Sequence, residues 1–329
     1  MEKKLKEVRE ITVIGSGLMG HGIGQAFAQR GYSVSLYDLD RSILEEALSQ
    51  IRSNLETFLE LGLETEEGVQ KTLSNIRLTV DLREAAKESQ FIIEAAPENL
   101  TLKMDLFEEL ERYCHPETIL ASNTSTLPIS EFGKKVKKKE RLVITHWFNP
   151  PHIIPTVEVV RGEMTSQEVF DLTFHLMEKL GKKPIRILKE VPGFLINRVQ
   201  TAMLREVLSL LEQGVAGPED IDTGVMGSFG LRLAVIGPLA TGDMGGLDLW
   251  CKGMRYLYPF LDRSTAVQRV LEEKVEHGDF GLKTGKGFFE YNREKGLALS
   301  AQSRERDKRL LSLLKTLSPE PGIAGTKQG

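Results

Sequence analysis

Six residues constrain this chain more than any others: Gly15-Ser16-Gly17-Leu18-Met19-Gly20, a GxGxxG run. A β-branched stretch, Ile11-Thr12-Val13-Ile14, comes before it. A helical stretch from Leu18 to Arg30 follows, closed by Gly31, and then a second strand-like run from Ser33 to Asp38. Strand, glycine turn, helix and strand within about 30 residues make a βαβ unit. In that context the glycines are the fingerprint of a dinucleotide site. Gly15 permits the tight turn, Gly17 lets the backbone approach a pyrophosphate, and Gly20 lets helix and strand pack closely. Leu18 and Met19 carry the turn into the helix, whose first N–H groups and positive dipole end face the phosphates. Asp38, ending the second strand, accepts from the ribose hydroxyls and repels a 2′-phosphate, which favours NAD over NADP. An ordinary glycine-rich turn would not explain the acidic residue at that place.

The pattern continues as strands alternating with helices. Ile76–Val80, Phe91–Ala95, Ile119–Ser122 and Leu142–His146 are strand-like, and amphipathic segments such as Arg41–Leu61 and Leu100–Tyr113 separate most of them. Such alternation predicts an α/β fold, a doubly wound and mostly parallel sheet covered on both faces. Val157–Val160 and Pro184–Leu188 add strands, with a helix over Ser166–Leu180. After Pro192-Gly193 strand signals almost vanish. Phe194–Leu211 has helical spacing, Pro218 opens another helix, and Ala266–Glu276 forms one more. The expected organisation is a cofactor-binding domain over 1–192, a smaller all-α domain over 193–291, and a charged tail over 292–329. The tail is expected to be helical near Leu297–Leu317 and disordered in its last dozen residues.

Composition narrows the classes of partner. The chain has 329 residues and a net charge of −4, so no basic excess points to nucleic acid or an anionic membrane. Two cysteines, Cys114 and Cys251, exclude a disulfide framework and a cysteine-based zinc site. With a charged N-terminal stretch and no long apolar run, they fit a cytoplasmic protein. No metal site is expected.

Several polar residues stand at the expected carboxyl ends of strands, where such sheets bind ligands. Ala121-Ser122-Asn123-Thr124-Ser125-Thr126 is either a hydroxyl-lined site or a self-capped turn. His146 ends a strand and is either a group that exchanges a proton near neutral pH or a satisfied core histidine. Glu158 interrupts the apolar run Thr156–Val160. It either meets a hydrogen-bonding partner, with a His–Glu pair as the obvious candidate, or points to water from an edge strand. Asn197 is one amide among apolar neighbours and needs a partner. The glycine-rich loop Gly278–Gly287 carries Lys283 and Lys286. The basic run from Lys134 to Arg141 is read as solvated surface.

Taken together, these stretches resemble the L-3-hydroxyacyl-CoA dehydrogenases of the 3-hydroxybutyryl-CoA dehydrogenase type, over about residues 9–291. The likeness lies in IGSGLMGHGIGQAFAQRG, SNTSTL, HWFNPP with TVEVV, PGFLINR and FGLKTGKGFF. It implies that His146 is the catalytic base, Glu158 orients it, and Ser125 and Asn197 bind the substrate oxygen. It places Glu98, Lys103 and Asn149 around the nicotinamide half of NAD and Lys283 near the cofactor, and it implies a homodimer formed by the helical domain. Two stretches depart from the pattern. Residues 51–61 lack the lysines that meet coenzyme A in many members, and Pro155 stands where the mitochondrial type has lysine. The run NPPHIIP is similar instead to a sister branch of L-gulonate 3-dehydrogenase (lambda-crystallin) and L-carnitine dehydrogenase, which act on free acids. The leading expectation is oxidation of an L-3-hydroxyacyl-CoA to the 3-ketoacyl-CoA. The alternatives are a free hydroxy acid, or an NAD-binding relative without catalysis.

Overall fold

The computed structural model describes residues 5, 7–291 and 299–317. The chain divides into two compact units, 1–198 and 199–329. The first is built on eight strands: β1 (Glu10–Ile14), β2 (Ser33–Tyr37), β3 (Ile76–Thr79), β4 (Phe91–Glu94), β5 (Ile119–Ser122), β6 (Leu142–Trp147), β7 (Thr156–Val160) and β8 (Lys183–Ile187). Their order in the sheet is β3-β2-β1-β4-β5-β6-β7-β8. The first six strands follow the doubly wound dinucleotide-binding order, which reverses direction between β1 and β4 and opens a crevice there. The helices are α1 (Gly20–Ala28), α2 (Arg41–Glu60), α3 (Glu66–Ser74), α4 (Leu82–Ala86), α5 (Leu100–Tyr113), α6 (Ile129–Phe132), α7 (Gln167–Lys179) and α8 (Ile196–Glu212).

Helices cover both faces, so alternate strand residues enter two separate cores. Ile11, Val13, Phe91 and Ile93 pack with Phe27 of α1 and Ile51 of α2. Ile14, Ile92 and Leu120 pack on the opposite face with Phe107 and Leu110 of α5. This double burial is why the strands are apolar runs with little polar alternation.

All neighbouring strands are parallel except β6 and β7. The link between them, residues 148–155, is too short for a parallel crossover, which takes a dozen residues or more. The expected helix over Phe194–Leu211 starts later, at Ile196. Gly193 (φ +75°) and Phe194 (φ +48°) are both left-handed, and Phe194 is buried in the second core. Helix α3, capped by the Thr65 hydroxyl on the Gly68 N–H, has no counterpart in the sequence expectation.

The second unit is helical: Pro218–Val225, Pro238–Gly245, Leu247–Leu257, Arg269–Glu276 and, from the tail, Leu299–Thr316. The division at Arg198 falls inside α8, after Pro192. The expected disorder at the C-terminus concerns residues outside those described.

Candidate active site

The glycine turn closes over the carboxyl end of β1. The Gly15 N–H donates to the Tyr37 carbonyl, and at φ +88° a side chain there would lie 2.8 Å from the Ala95 carbonyl oxygen. A Cβ at Gly20 would fall 1.7 Å from the Gly15 oxygen. At Gly17 it would meet nothing within 4 Å. Gly15 and Gly20 are therefore required by the protein's own packing, whereas Gly17 faces open space of the kind a pyrophosphate fills. Asp38 spans the gap between strands: Oδ2 accepts from the Ser16 N–H and Oδ1 from the Leu39 N–H, both at 2.8 Å. The carboxylate is fixed at the end of β2 and keeps lone pairs for a ribose diol. Leu18 is exposed and Met19 half-buried before the first turn of α1. The chain's own residues thus fit NAD.

The antiparallel register of β6 and β7 places His146 opposite Glu158. Directly opposed residues share one face of a sheet. His146 Nδ1 lies 2.6 Å from Glu158 Oε2, and both side chains are buried. Strand β7 lies between β6 and β8, so Glu158 does not point to water from an edge. Its Oε1 accepts from the N–H groups of Leu195 (3.0 Å) and Ile196 (2.9 Å). The left-handed pair Gly193-Phe194 aims these amides, and they form the positive end of α8. With Glu158 accepting at Nδ1, the Nδ1–H tautomer leaves the lone pair on Nε2, which lies 3.1 Å from the Ser125 hydroxyl. Phe148 and Phe194 wall the imidazole, with ring centroids at 4.7 and 5.6 Å.

Ser125 belongs to a loop tied down by carboxylates. Glu98 Oε1 accepts from the Thr124 and Thr126 hydroxyls and from the Ser125 and Thr126 N–H groups. Half-burial alone would raise the Glu98 carboxyl; these hydrogen bonds and nearby Lys103 outweigh it and hold the group below its ordinary value. Lys103 is buried. Its ammonium donates to Glu94 at 2.5 Å and lies 3.4 Å from Glu98. Glu94, wholly buried at the end of β4, was not foreseen. The signal was present, since it ends an apolar strand just as Glu158 interrupts one. Burial pushes its carboxyl up, against the pull of Lys103, Ser122 and the Ala96 N–H.

Asn149 is exposed after β6, and its peptide bond to Pro150 is cis. The turn it opens is held by Lys182, also not foreseen, which donates to the Pro151 (2.6 Å) and Ile154 (2.8 Å) carbonyls over the Trp147 ring. Asn197, half-buried in the first turn of α8, has no side-chain partner among the described residues and keeps its amide for a ligand. Lys283 belongs to the second unit, in a loop closed by bridges between Gly281 and Lys286 and between Lys286 and Glu290. In the basic run Lys134 pairs with Glu131 and Lys135 with Asp105 at the surface, but Arg141 is not solvated as expected: it is buried, pairs with Glu111 and donates to the His115 and Thr118 carbonyls.

Residues 10–191 match the model of the 3-hydroxyacyl-CoA dehydrogenase NAD-binding domain, and residues 193–291 match that of the 3-hydroxyacyl-CoA dehydrogenase C-terminal domain. The chain belongs to the 3-hydroxyacyl-CoA dehydrogenase family. It is therefore an NAD-dependent oxidoreductase acting on CH–OH groups. Among family relatives, 5-formyl-3-hydroxy-2-methylpyridine 4-carboxylate 5-dehydrogenase of Mesorhizobium japonicum is 37% identical over 311 residues, 94% of this chain and 98% of the relative. A crystal structure of an enzyme of that name, described as an NAD+-dependent dismutase, superposes with a TM-score of 0.88 and 35% identity, covering 95% of this chain and all of that one. A probable 3-hydroxybutyryl-CoA dehydrogenase of Bacillus subtilis is also 37% identical, over 286 residues, 87% of this chain and 98% of the relative.

Proposed function

We propose that this family member oxidises a secondary hydroxyl of a small free hydroxy acid, with His146 as the base. The observation that carries the chemistry is the hydrogen-bonded series Ser125–His146–Glu158 at the carboxyl end of β6, on the same edge of the sheet as the glycine turn after β1. His146 Nε2 takes the hydroxyl proton while the carbon loses hydrogen with its electron pair, so the alcohol becomes a ketone. Bound NAD supplies the hydride acceptor. Glu158, held by two amides and a helix end, stabilises the imidazolium that forms. When substrate binds, the Ser125 O–H turns from Nε2 to the substrate oxygen and frees the Nε2 lone pair, the unspent amide of Asn197 donates to the same oxygen, and this matters most in the reverse reduction, where charge grows on that atom. A dead relative would have no use for all four groups in this arrangement.

The substrate reading rests on α2. Its exposed charges are Glu45, Glu46, Glu56 and Glu60 against Arg41 and Arg52, with no lysine, and Arg41 is paired with Glu45. The buried amide of Asn54 is spent on Gln25 and Gln50. Such a face repels the phosphates of coenzyme A. The pyridine-carboxylate dehydrogenase, which by its name acts on a free carboxylate, also spans more of this chain than the thioester enzyme does. An L-3-hydroxyacyl-CoA is the second reading, favoured by the match of both family domains and by the Bacillus relative. We further propose that the helical unit forms a homodimer.

Purified protein is assayed with L-3-hydroxybutyryl-CoA, L-gulonate and L-carnitine, each plus NAD. A kcat/KM at least about tenfold higher for a free acid supports the reading, since tenfold corresponds to about 1.4 kcal/mol of discrimination. The opposite ranking establishes the thioester. On the better substrate, His146→Gln lowers kcat by about 100- to 10,000-fold and leaves NAD affinity nearly intact. Near-native turnover in that variant removes His146 as the base.

A further inference from the structure

Glu94 is a buried acid with no place in the chemistry described above. It is wholly buried and ends β4, next to the point where the strand order reverses. Burying an ion pair such as Glu94–Lys103 stabilises a fold little, and apolar residues of similar volume often do as well or better. A purely structural position would therefore serve as well with an apolar pair. The partners of Glu94 also lie in one direction. Oε1 accepts from Lys103 Nζ (2.5 Å) and the Ala96 N–H (2.7 Å), and Oε2 accepts from the Ser122 hydroxyl (2.5 Å). Each of these bonds goes to a segment that frames the crevice.

From there two routes reach Ser125. Along the chain, the Ser122 Oγ that donates to Glu94 accepts from the Thr124 N–H at 3.1 Å, which shapes the turn one residue before Ser125. By way of α5, Lys103 bridges Glu94 to Glu98, and Glu98 accepts from the Ser125 N–H at 3.2 Å and the Thr124 hydroxyl at 2.5 Å. The Ser125 backbone is thus held from both sides by groups that all meet at Glu94.

We propose that Glu94 is a positioning residue for catalysis: through Ser122, and through Lys103 and Glu98, it fixes the 122–126 loop so that the Ser125 hydroxyl stays beside Nε2 of His146, in place to meet the substrate oxygen. It touches neither substrate nor cofactor. Lys103 is its partner in this role, its ammonium directed to the two carboxylates. The inference rests on the reading of His146 as the base, but the geometry can be tested without turnover.

The test is a double-mutant cycle of Glu94→Gln and Ser125→Ala in the full chain, with two readouts. The first is the NMR titration of the His146 imidazole, assigned by its loss in His146→Gln. Glu94→Gln shifts that titration in the same direction as Ser125→Ala, and the double variant matches Ser125→Ala alone. The second is kcat on whichever substrate the wild type turns over. Glu94→Gln lowers it by about 10- to 100-fold, the scale of a misplaced catalytic group, with KM for NAD within about threefold. In the Ser125→Ala background the same change costs less than about threefold. An equal loss in both backgrounds, or an unmoved His146 titration, overturns the proposal. If no substrate is turned over, the reading of the reaction fails, while the titration still decides the geometry. If Glu94→Gln does not fold, Ser122→Ala, which cuts one route, is put through the same cycle and must show the same non-additivity.

Discussion

At the scale of single residues, the acids and bases of this protein are set by what surrounds them. Lys182 shows this most plainly. Its ammonium is buried beneath the turn that follows the catalytic strand, and burial, with a smaller push from Arg30, brings its pKa down from 10.5 to about 7. The unfolded chain keeps the ordinary value, so between about pH 7 and 10.5 the unfolded state binds more protons than the folded one. Stability from this group is therefore fully present above the unfolded pKa and is lost as pH falls through the folded pKa. Lys182→Met removes the ionisation and leaves the Pro151 and Ile154 carbonyls without their donor. Its destabilisation relative to wild type is expected to be smallest below pH 7 and to grow by a few kcal/mol towards pH 10. Paired thermal melts at pH 6, 7.5 and 9.5 check this, and a difference in Tm that is flat with pH shows that Lys182 ionises normally. His146 and Glu158 were legible in the sequence because each breaks a local pattern, a histidine at a strand end and a carboxylate within an apolar run. Lys182 was not, because a lysine after a helix is ordinary until the fold buries it.

At the scale of elements, the glycine turn separates the needs of packing from those of the ligand. Ala in place of Gly20 would bring a Cβ 1.7 Å from the Gly15 oxygen, a backbone atom that cannot swing away. The gain in helix propensity, about 1 kcal/mol, is smaller than the cost of forcing strand and helix apart, about 1–3 kcal/mol. Gly20→Ala is thus expected to lower Tm and to lose NAD together. Gly17→Ala puts its Cβ into open space, so stability stays within about 0.5 kcal/mol of wild type, while NAD affinity, measured by quenching of protein fluorescence, falls at least about tenfold. Unchanged affinity in Gly17→Ala means that the pyrophosphate does not lie there. Most elements of the first unit were legible, since doubly covered strands and amphipathic helices carry strong periodic signals. Two features were not. The helical spacing of Phe194 concealed a left-handed residue, because periodicity reports a side chain's face and not its φ. Helix α3 is short, with one buried residue, Thr72, so its apolar pattern was too weak to find.

At the scale of the whole molecule, the second unit poses a problem of covered surface. Helices Pro218–Val225 and Leu247–Leu257 bury no residue at all, and Leu239 and Phe260 are 82% and 73% exposed. Met226, Tyr256 and Leu257 are exposed as well. Isolated helices of about 12 residues or fewer are marginal in water and depend on an apolar face being packed. Exposed large apolar side chains in such number mark a surface made to be covered. A second copy of the chain would supply the missing cover, and its surface matches by symmetry, since both partners of a two-fold dimer offer the same patch. Sedimentation at micromolar concentration is then expected to give twice the 36.8 kDa chain mass, and Tm should rise with protein concentration because association stabilises the folded state by mass action. Phe260→Glu and Leu239→Glu, which place charges on the patch, should shift the protein to monomer and remove the concentration dependence, while Gly17, Asp38 and His146 in the first unit keep their geometry and NAD still binds. A monomeric mass at tens of micromolar, with a Tm independent of concentration, would mean that the helical unit is covered in some other way and that the homodimer does not form.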